Sequence, residues 1–137
     1  MRARPVLIAP DKFRGTLSAE QAAIAIGRGL AAGGFNAIEL LPVADGGEGT
    51  LEMMVRARGG RMLPLEAHDP LGRPVTAAFA LLDGDKTAVV ETAQASGLWR
   101  VAEHERDPVA ASTAGTGELI DAAVEHGARH VLVAAGG

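Results

Sequence analysis

The stretch AIELLPVADGGEGTLEMMVRAR, residues 37–58, decides the fold. It opens on an apolar run, Ala37 to Leu41, and reads as a strand to about Val43. It closes on helical spacing that predicts a helix from about Glu48 to Ala57, stopped by Gly59-Gly60. Between them PVADGGEGT, residues 42–50, holds three glycines and two carboxylates and nothing that fills a core. A strand that exits through glycines into a helix is the joint of a parallel α/β sheet.

The same alternation extends to both sides. Upstream, Val6 to Ala9 is a short apolar run ended by Pro10, the pattern of a buried strand. Ser18 with Gln21 three residues later forms a capping-box signature. Ala22, Ile26 and Leu30 follow at helical spacing, with Ala23 and Ile24 beside them, until Gly33-Gly34. Downstream, the pattern changes. Residues 62–100 read as a β-rich segment, with turn chemistry at Pro70 to Pro74 and a hairpin signal at Asp83-Gly84. Thr116 to Glu125 or His126 then reads as a helix closed by Gly127, and Val131 to Ala135 as another buried strand. The run ends in Gly136-Gly137, where a ligand-binding loop would begin in such a sheet. A truncated or fragmentary chain is the expectation from that ending.

Composition excludes several functions. The 137 residues are enough for one modest domain or slightly more, and 47% hydrophobic content supports a core. Net charge is −4, aromatic content is 3% and there is no Tyr. Neither a phosphate-backbone binder nor a base-stacking platform fits those values. The absence of Cys removes disulfides, thiolate zinc sites and thiol nucleophiles. The apolar run near the N-terminus is too short for a signal peptide or membrane span, so a cytoplasmic location is expected. His68, His104, His126 and His130 show no metal-ligand spacing and are expected at the surface. Trp99, Met53 and Met54 are expected to pack in the interior.

Three loops at strand exits carry the chemistry. Residues 10–16, PDKFRGT, offer Asp11, Lys12 and Arg14. In residues 42–50, glycines allow backbone N–H groups to approach a phosphate or carboxylate, and the helix start adds a partial positive charge. Asp45 and Glu48 suit a hard cation or proton transfer. Equally, Asp45 suits a helix cap and Glu48 the helix dipole. The loop is neither a Walker loop nor a G-x-G-x-x-G turn. The third loop runs from Arg106-Asp107-Pro108 to Ser112-Thr113-Ala114-Gly115-Thr116-Gly117-Glu118, where hydroxyls suit an anion or an ordinary N-cap at Thr116 or Ser112. Together these parts match the needs of phosphoryl transfer: charge neutralisation, a metal and a positioned base.

APDKFRGTLSA (9–19), PVADGGEGT (42–50), DPLGRPV (69–75), ETAQASGL (91–98) and RDPVAASTAGTGELI (106–120) resemble the bacterial glycerate kinase family of the glycerate 2-kinase type. The resemblance spans nearly the whole chain, in order. It implies an α/β kinase with a Rossmann-like parallel sheet, to which residues 1–61 and 101–137 belong. A smaller inserted α/β domain, β-rich in this chain, takes residues 62–100. It also implies phosphorylation of D-glycerate by ATP with Mg²⁺ to give 2-phosphoglycerate, without nucleic-acid or membrane partners. The family's chain is longer and continues through a Ser-Ala-Thr-Asn-Asp-Gly-Gly stretch. This sequence is therefore expected to be an N-terminal portion, incomplete and inactive alone. The expected catalytic residues are Asp45 (also a Mg²⁺ ligand), Glu48 and Lys12. Asp11, Arg14, Gly46, Gly47, Gly49, Arg106 and Thr116 are expected to bind substrate or phosphate. Competing readings are a non-catalytic α/β ligand-binding module and another Mg²⁺-dependent phosphoryl-group enzyme. An aspartyl phosphatase would want Asp-x-Asp after the first strand, and Asp11-Lys12-Phe13 does not supply it.

Overall fold

The computed structural model describes residues 5–13 and 15–137. They form two compact units, Met1–Asp45 and Gly46–Gly137. The fold class is α/β.

The first unit is a βαβ joint. Strand β1 (Val6–Ile8) pairs in parallel with β2 (Ile38–Leu40), with Val6 opposite Ile38 and Ile8 opposite Leu40. Helix α1 (Ala19–Ala32) makes the crossover. Its start is locally encoded. Ser18 accepts from the Gln21 amide at 3.1 Å, and the Gln21 side chain accepts from the Ser18 amide at 2.9 Å. Ala22 and Ala23 form its buried face, while Ile24 and Ile26 are largely exposed. The paired strands are shorter than the apolar runs. Their hydrogen bonding nevertheless continues, from Leu41 N–H to Ile8 O at 2.8 Å and from Val43 N–H to Pro10 O at 3.0 Å. Parallel pairing therefore brings the chain out of both strands, at Pro10 and at Pro42, on one carboxyl edge.

The second unit is built on a four-stranded sheet. Helix α2 (Thr50–Arg58) leads into β3 (Arg61–His68), β4 (Pro74–Leu82) and β5 (Thr87–Glu91). A short helix α3 (Thr92–Ser96), two 3-10 turns at Leu98–Arg100 and Glu103–Glu105, helix α4 (Ala114–Glu125) and β6 (His130–Ala134) follow. The strand order is β3-β4-β5-β6; the first three run antiparallel and β6 runs parallel to β5. The expected hairpin joins β4 to β5, with Asp83 and Asp85 at positive φ of 54° and 67° around Gly84. Short polar side chains tolerate that region best. Arg58 and Arg61 clasp this turn through Asp83 (3.0 Å) and Asp85 (2.6 Å). Segments 62–100 and 130–134 thus share one sheet.

Period-two alternation along β4 and β5 feeds two cores. Ala77, Phe79, Leu81, Ala88 and Val90 pack with Leu119 and Ala123 of α4. Ala80, Leu82 and Val89 pack with Leu51, Met54 and Val55 of α2. Both sheet faces are covered, which is why these strands read as near-continuous apolar runs. The edge-on contact of His126 with Phe79, 5.6 Å between ring centres, flanks the first core.

Several sequence expectations change here. Helix α2 begins at Thr50, not Glu48, with Gly49 as its cap residue, so Asp45 is not its cap. Helix α4 begins at Ala114, placing Thr116 inside its first turn. Trp99 is 60% exposed rather than packed. Its ring lies under the Arg100 guanidinium, 4.4 Å away, and its N–H donates to Ala93 O. Indole amphipathicity permits a wet position when the N–H finds a partner. Met53 and Met54 are half-buried, and all four histidines are exposed.

Candidate functional site

In the second unit three segments converge at the carboxyl ends of β5 and β6. The first is the glycine loop, Gly46 to Gly49. Gly46 and Gly49 hold φ of 93° and 96°, a region costly for any side-chain-bearing residue. Gly47 is buried, and its carbonyl accepts from the Thr50 hydroxyl at 2.6 Å. The second segment is the β6 exit, Ala134 to Gly137. The Gly136 amide donates to Gly46 O at 3.0 Å. A Cβ on Gly136 would stand 2.7 Å from Gly47 N and 2.8 Å from Gly46 C. The close approach of two backbones is what this glycine permits.

The third segment is the junction from β5 to α3. The buried Glu91 carboxylate accepts from the Leu51 amide of α2 at 3.0 Å. The Thr92 hydroxyl lies 3.2 Å from Ala134 O and 3.1 Å from Gly136 O. It donates to these carbonyls, so both flanks of the glycine loop are tied to adjacent residues at the end of β5.

The α4 loop adds a cleft of about 270 Å³, lined among others by Ser96, Arg106, Asp107, Ser112, Thr113 and Gly137. Arg106 is exposed on its wall. Thr116 is buried, its hydroxyl 2.7 Å from Ser96 Oγ. Ser112 accepts from the Ala114 amide at 3.1 Å, so it serves the start of α4 as an ST turn.

Beside this cleft, DPLGR is a structural turn. The buried Asp69 carboxylate accepts from Leu71 N–H (2.8 Å), Arg73 N–H (2.9 Å) and Arg73 Nε (2.6 Å). Burial pushes its pKa up, but the Arg73 amide and guanidinium and the Leu71 amide outweigh that and hold it below the usual carboxylate range. Arg73 also reaches Glu105 at 3.1 Å and Arg100 O at 3.1 Å.

The expected residues divide between the units. Gly46, Gly47, Glu48, Gly49, Arg106 and Thr116 lie in the second unit. Asp11, Lys12 and Asp45 lie in the first, at the carboxyl edge of β1 and β2. Asp11 and Lys12 are half-buried, with Asp11 Oδ1 accepting from the Lys12 amide at 2.6 Å; Asp45 and Glu48 are exposed. Arg14 lies outside the described residues. Sequence reasoning missed Glu91 and Thr92. The available signal was an acidic residue closing an otherwise apolar strand, TAVVE.

Residues 6–137 match the Glycerate kinase family. The chain belongs to that family. It is 46% identical over 133 residues to the glycerate kinase of Bacillus subtilis and 41% identical over 133 residues to the glycerate 2-kinase of Escherichia coli. Each alignment covers 96% of this chain and 35% of the relative. The crystal structure of a Salmonella typhimurium LT2 protein assigned as glycerate kinase 2 superposes with a TM-score of 0.72 at 41% identity. That match covers 96% of this chain and 36% of the other. The chain thus spans about a third of the length of these relatives. Among the described residues, no helix is long and apolar enough to cross a membrane.

Proposed function

We propose that this chain carries the N-terminal part of an ATP-dependent glycerate kinase forming 2-phosphoglycerate. The observation that carries the reading is the family match over residues 6–137, with the Gly46–Gly49 part of PVADGGEGT tied at both flanks into the second unit's sheet. The D-glycerate hydroxyl oxygen attacks the γ-phosphorus of ATP. The bond from that phosphorus to the β–γ bridging oxygen breaks, and ADP leaves. Asp45 takes the hydroxyl proton, and Glu48 supports it. Lys12 and Arg14 neutralise phosphate or the glycerate carboxylate, and Asp11 serves as a second acidic group. Amides of Gly46, Gly47 and Gly49 approach the transferring group, and Arg106 serves an anion at the α4 cleft; Thr116, buried and bonded to Ser96 rather than lining the cleft, supports that wall from behind. Such donors act by being in place before charge develops.

Mg²⁺ fits the donor set in a limited way. Among the described residues no three acidic or imidazole side chains gather as a metal cage. A Mg²⁺ that keeps its waters and binds phosphate oxygens needs only one or two carboxylates, and Asp45 offers one. Bound there, it would offset charge on the phosphates.

The test is a hybrid enzyme in which this chain replaces the matching segment of the Bacillus subtilis glycerate kinase. ADP release is followed with ATP, Mg²⁺ and D-glycerate, and ³¹P NMR identifies the product. Glycerate-dependent ADP release with 2-phosphoglycerate as product is expected. A folded hybrid that does not turn over glycerate would remove the reading.

A further inference from the structure

We infer that Glu91 is a positioning residue that sets the glycine loop, with Thr92 holding the opposite flank; this rests on the reading of residues 42–50 as a phosphoryl-transfer loop. A helix start is ordinarily capped by its own Ser, Thr, Asp or Asn, at little expense. Helix α2 has none: its cap residue is Gly49, at φ 96°, with no side chain to offer. The Leu51 amide is instead held by a carboxylate forty positions away in the sequence, on a residue that is 0% exposed. Taking a carboxylate out of water is among the more expensive things a fold does. The exchange sacrifices an inexpensive local cap and gains a loop whose glycine backbone is free to take its unusual angles while its far end is pinned.

The near end is pinned by the neighbouring residue. Thr92 holds the carbonyls of Ala134 and Gly136, and the Gly136 amide holds Gly46 O. One dipeptide at the end of β5 therefore fixes both Gly46 and Leu51, and the amides between them are set before any ligand arrives. The negative charge of Glu91 does nothing to attract a phosphate; its contribution is geometric. Catalytic rates are sensitive to loop displacements of the order of 1 Å.

Two variants and two readouts test this. Glu91→Met fills the same space without an acceptor. Thr92→Val keeps the shape and loses the hydroxyl. Amide exchange is read by NMR on the 137-residue chain, and kinetics on the hybrid enzyme. In Glu91→Met, exchange at Leu51 should rise at least about tenfold relative to the other α2 amides. Its kcat should fall about 100-fold, with KM for ATP raised, per active enzyme counted by titration. Glu91→Gln, which retains an acceptor of the same length, should restore Leu51 protection and bring kcat to within about threefold. Thr92→Val should raise exchange at Gly136 and lower kcat about tenfold. Unchanged exchange and kcat in both Glu91→Met and Thr92→Val would overturn the inference. So would a Gln variant as damaged as the Met variant, or a loss confined to the titrated amount of active enzyme. If Glu91→Met does not fold, the Thr92→Val and Glu91→Gln results decide by the same criteria. A parent hybrid inactive on glycerate would remove the kinase reading, and exchange at Leu51 and Gly136 would then decide the positioning by itself.

Discussion

Gly136 illustrates how one atom governs the site. Its missing Cβ is the space in which the β6 exit touches the glycine loop, and the atoms on the other side are backbone, which cannot rotate away. Gly136→Ala is expected to cost about 1–3 kcal/mol, the usual penalty of overpacking, measured as a shift in the denaturation midpoint. Asp69 makes a different residue-scale prediction. Its folded pKa is depressed, so its contribution is present above the unfolded carboxylate value of about 3.9 and is lost as pH falls through the folded value. The thermal midpoint should therefore drop on acidification below about pH 4, with a shallower drop in Asp69→Asn. At pH 7 the same variant should lose about 1.5–3 kcal/mol, because the charge is removed and the amide NH2 cannot accept from Arg73 Nε as Oδ2 does.

Elements differ in how openly the sequence declares them. Helix α1 was legible because its start is local: Ser18 and Gln21 satisfy each other within one turn. Ser18→Ala is accordingly expected to cost about 1 kcal/mol by chemical denaturation, without moving any site residue. The hairpin at Asp83-Gly84 was legible for the same reason. Helix α2 was misjudged at its start because its cap is tertiary, and no window around residues 48–51 contains Glu91. The third loop was legible as a hydroxyl-rich helix start. Which hydroxyl does what was not: Ser112 bonds locally, whereas Thr116 bonds Ser96, twenty residues back. Trp99 departs from the packed position expected of it because its N–H finds Ala93 O and its ring lies under Arg100, which let it remain wet. Pro70 to Pro74 reads as a turn, and one forms there, held by the Arg73 guanidinium and by the carboxylate of Asp69 just before it.

For the whole molecule, the strand-exit loops divide between two units. Asp11, Lys12 and Asp45 belong to the first, and the glycine loop with the α4 cleft to the second. The parallel pairs β1–β2 and β5–β6 each deliver their loops to a carboxyl edge, the place where open α/β sheets bind ligands. The boundary falls between Asp45 and Gly46, inside the most specific stretch of the sequence. The measurement that tests this account most directly is steady-state ADP release by the hybrid enzyme beside its Asp45→Asn variant, with Tm recorded for both. The account predicts glycerate-dependent turnover in the parent and a fall in kcat of at least about 100-fold in the variant at unchanged Tm. Equal turnover in the two proteins would contradict it, because Asp45 would then be neither the base nor a metal ligand.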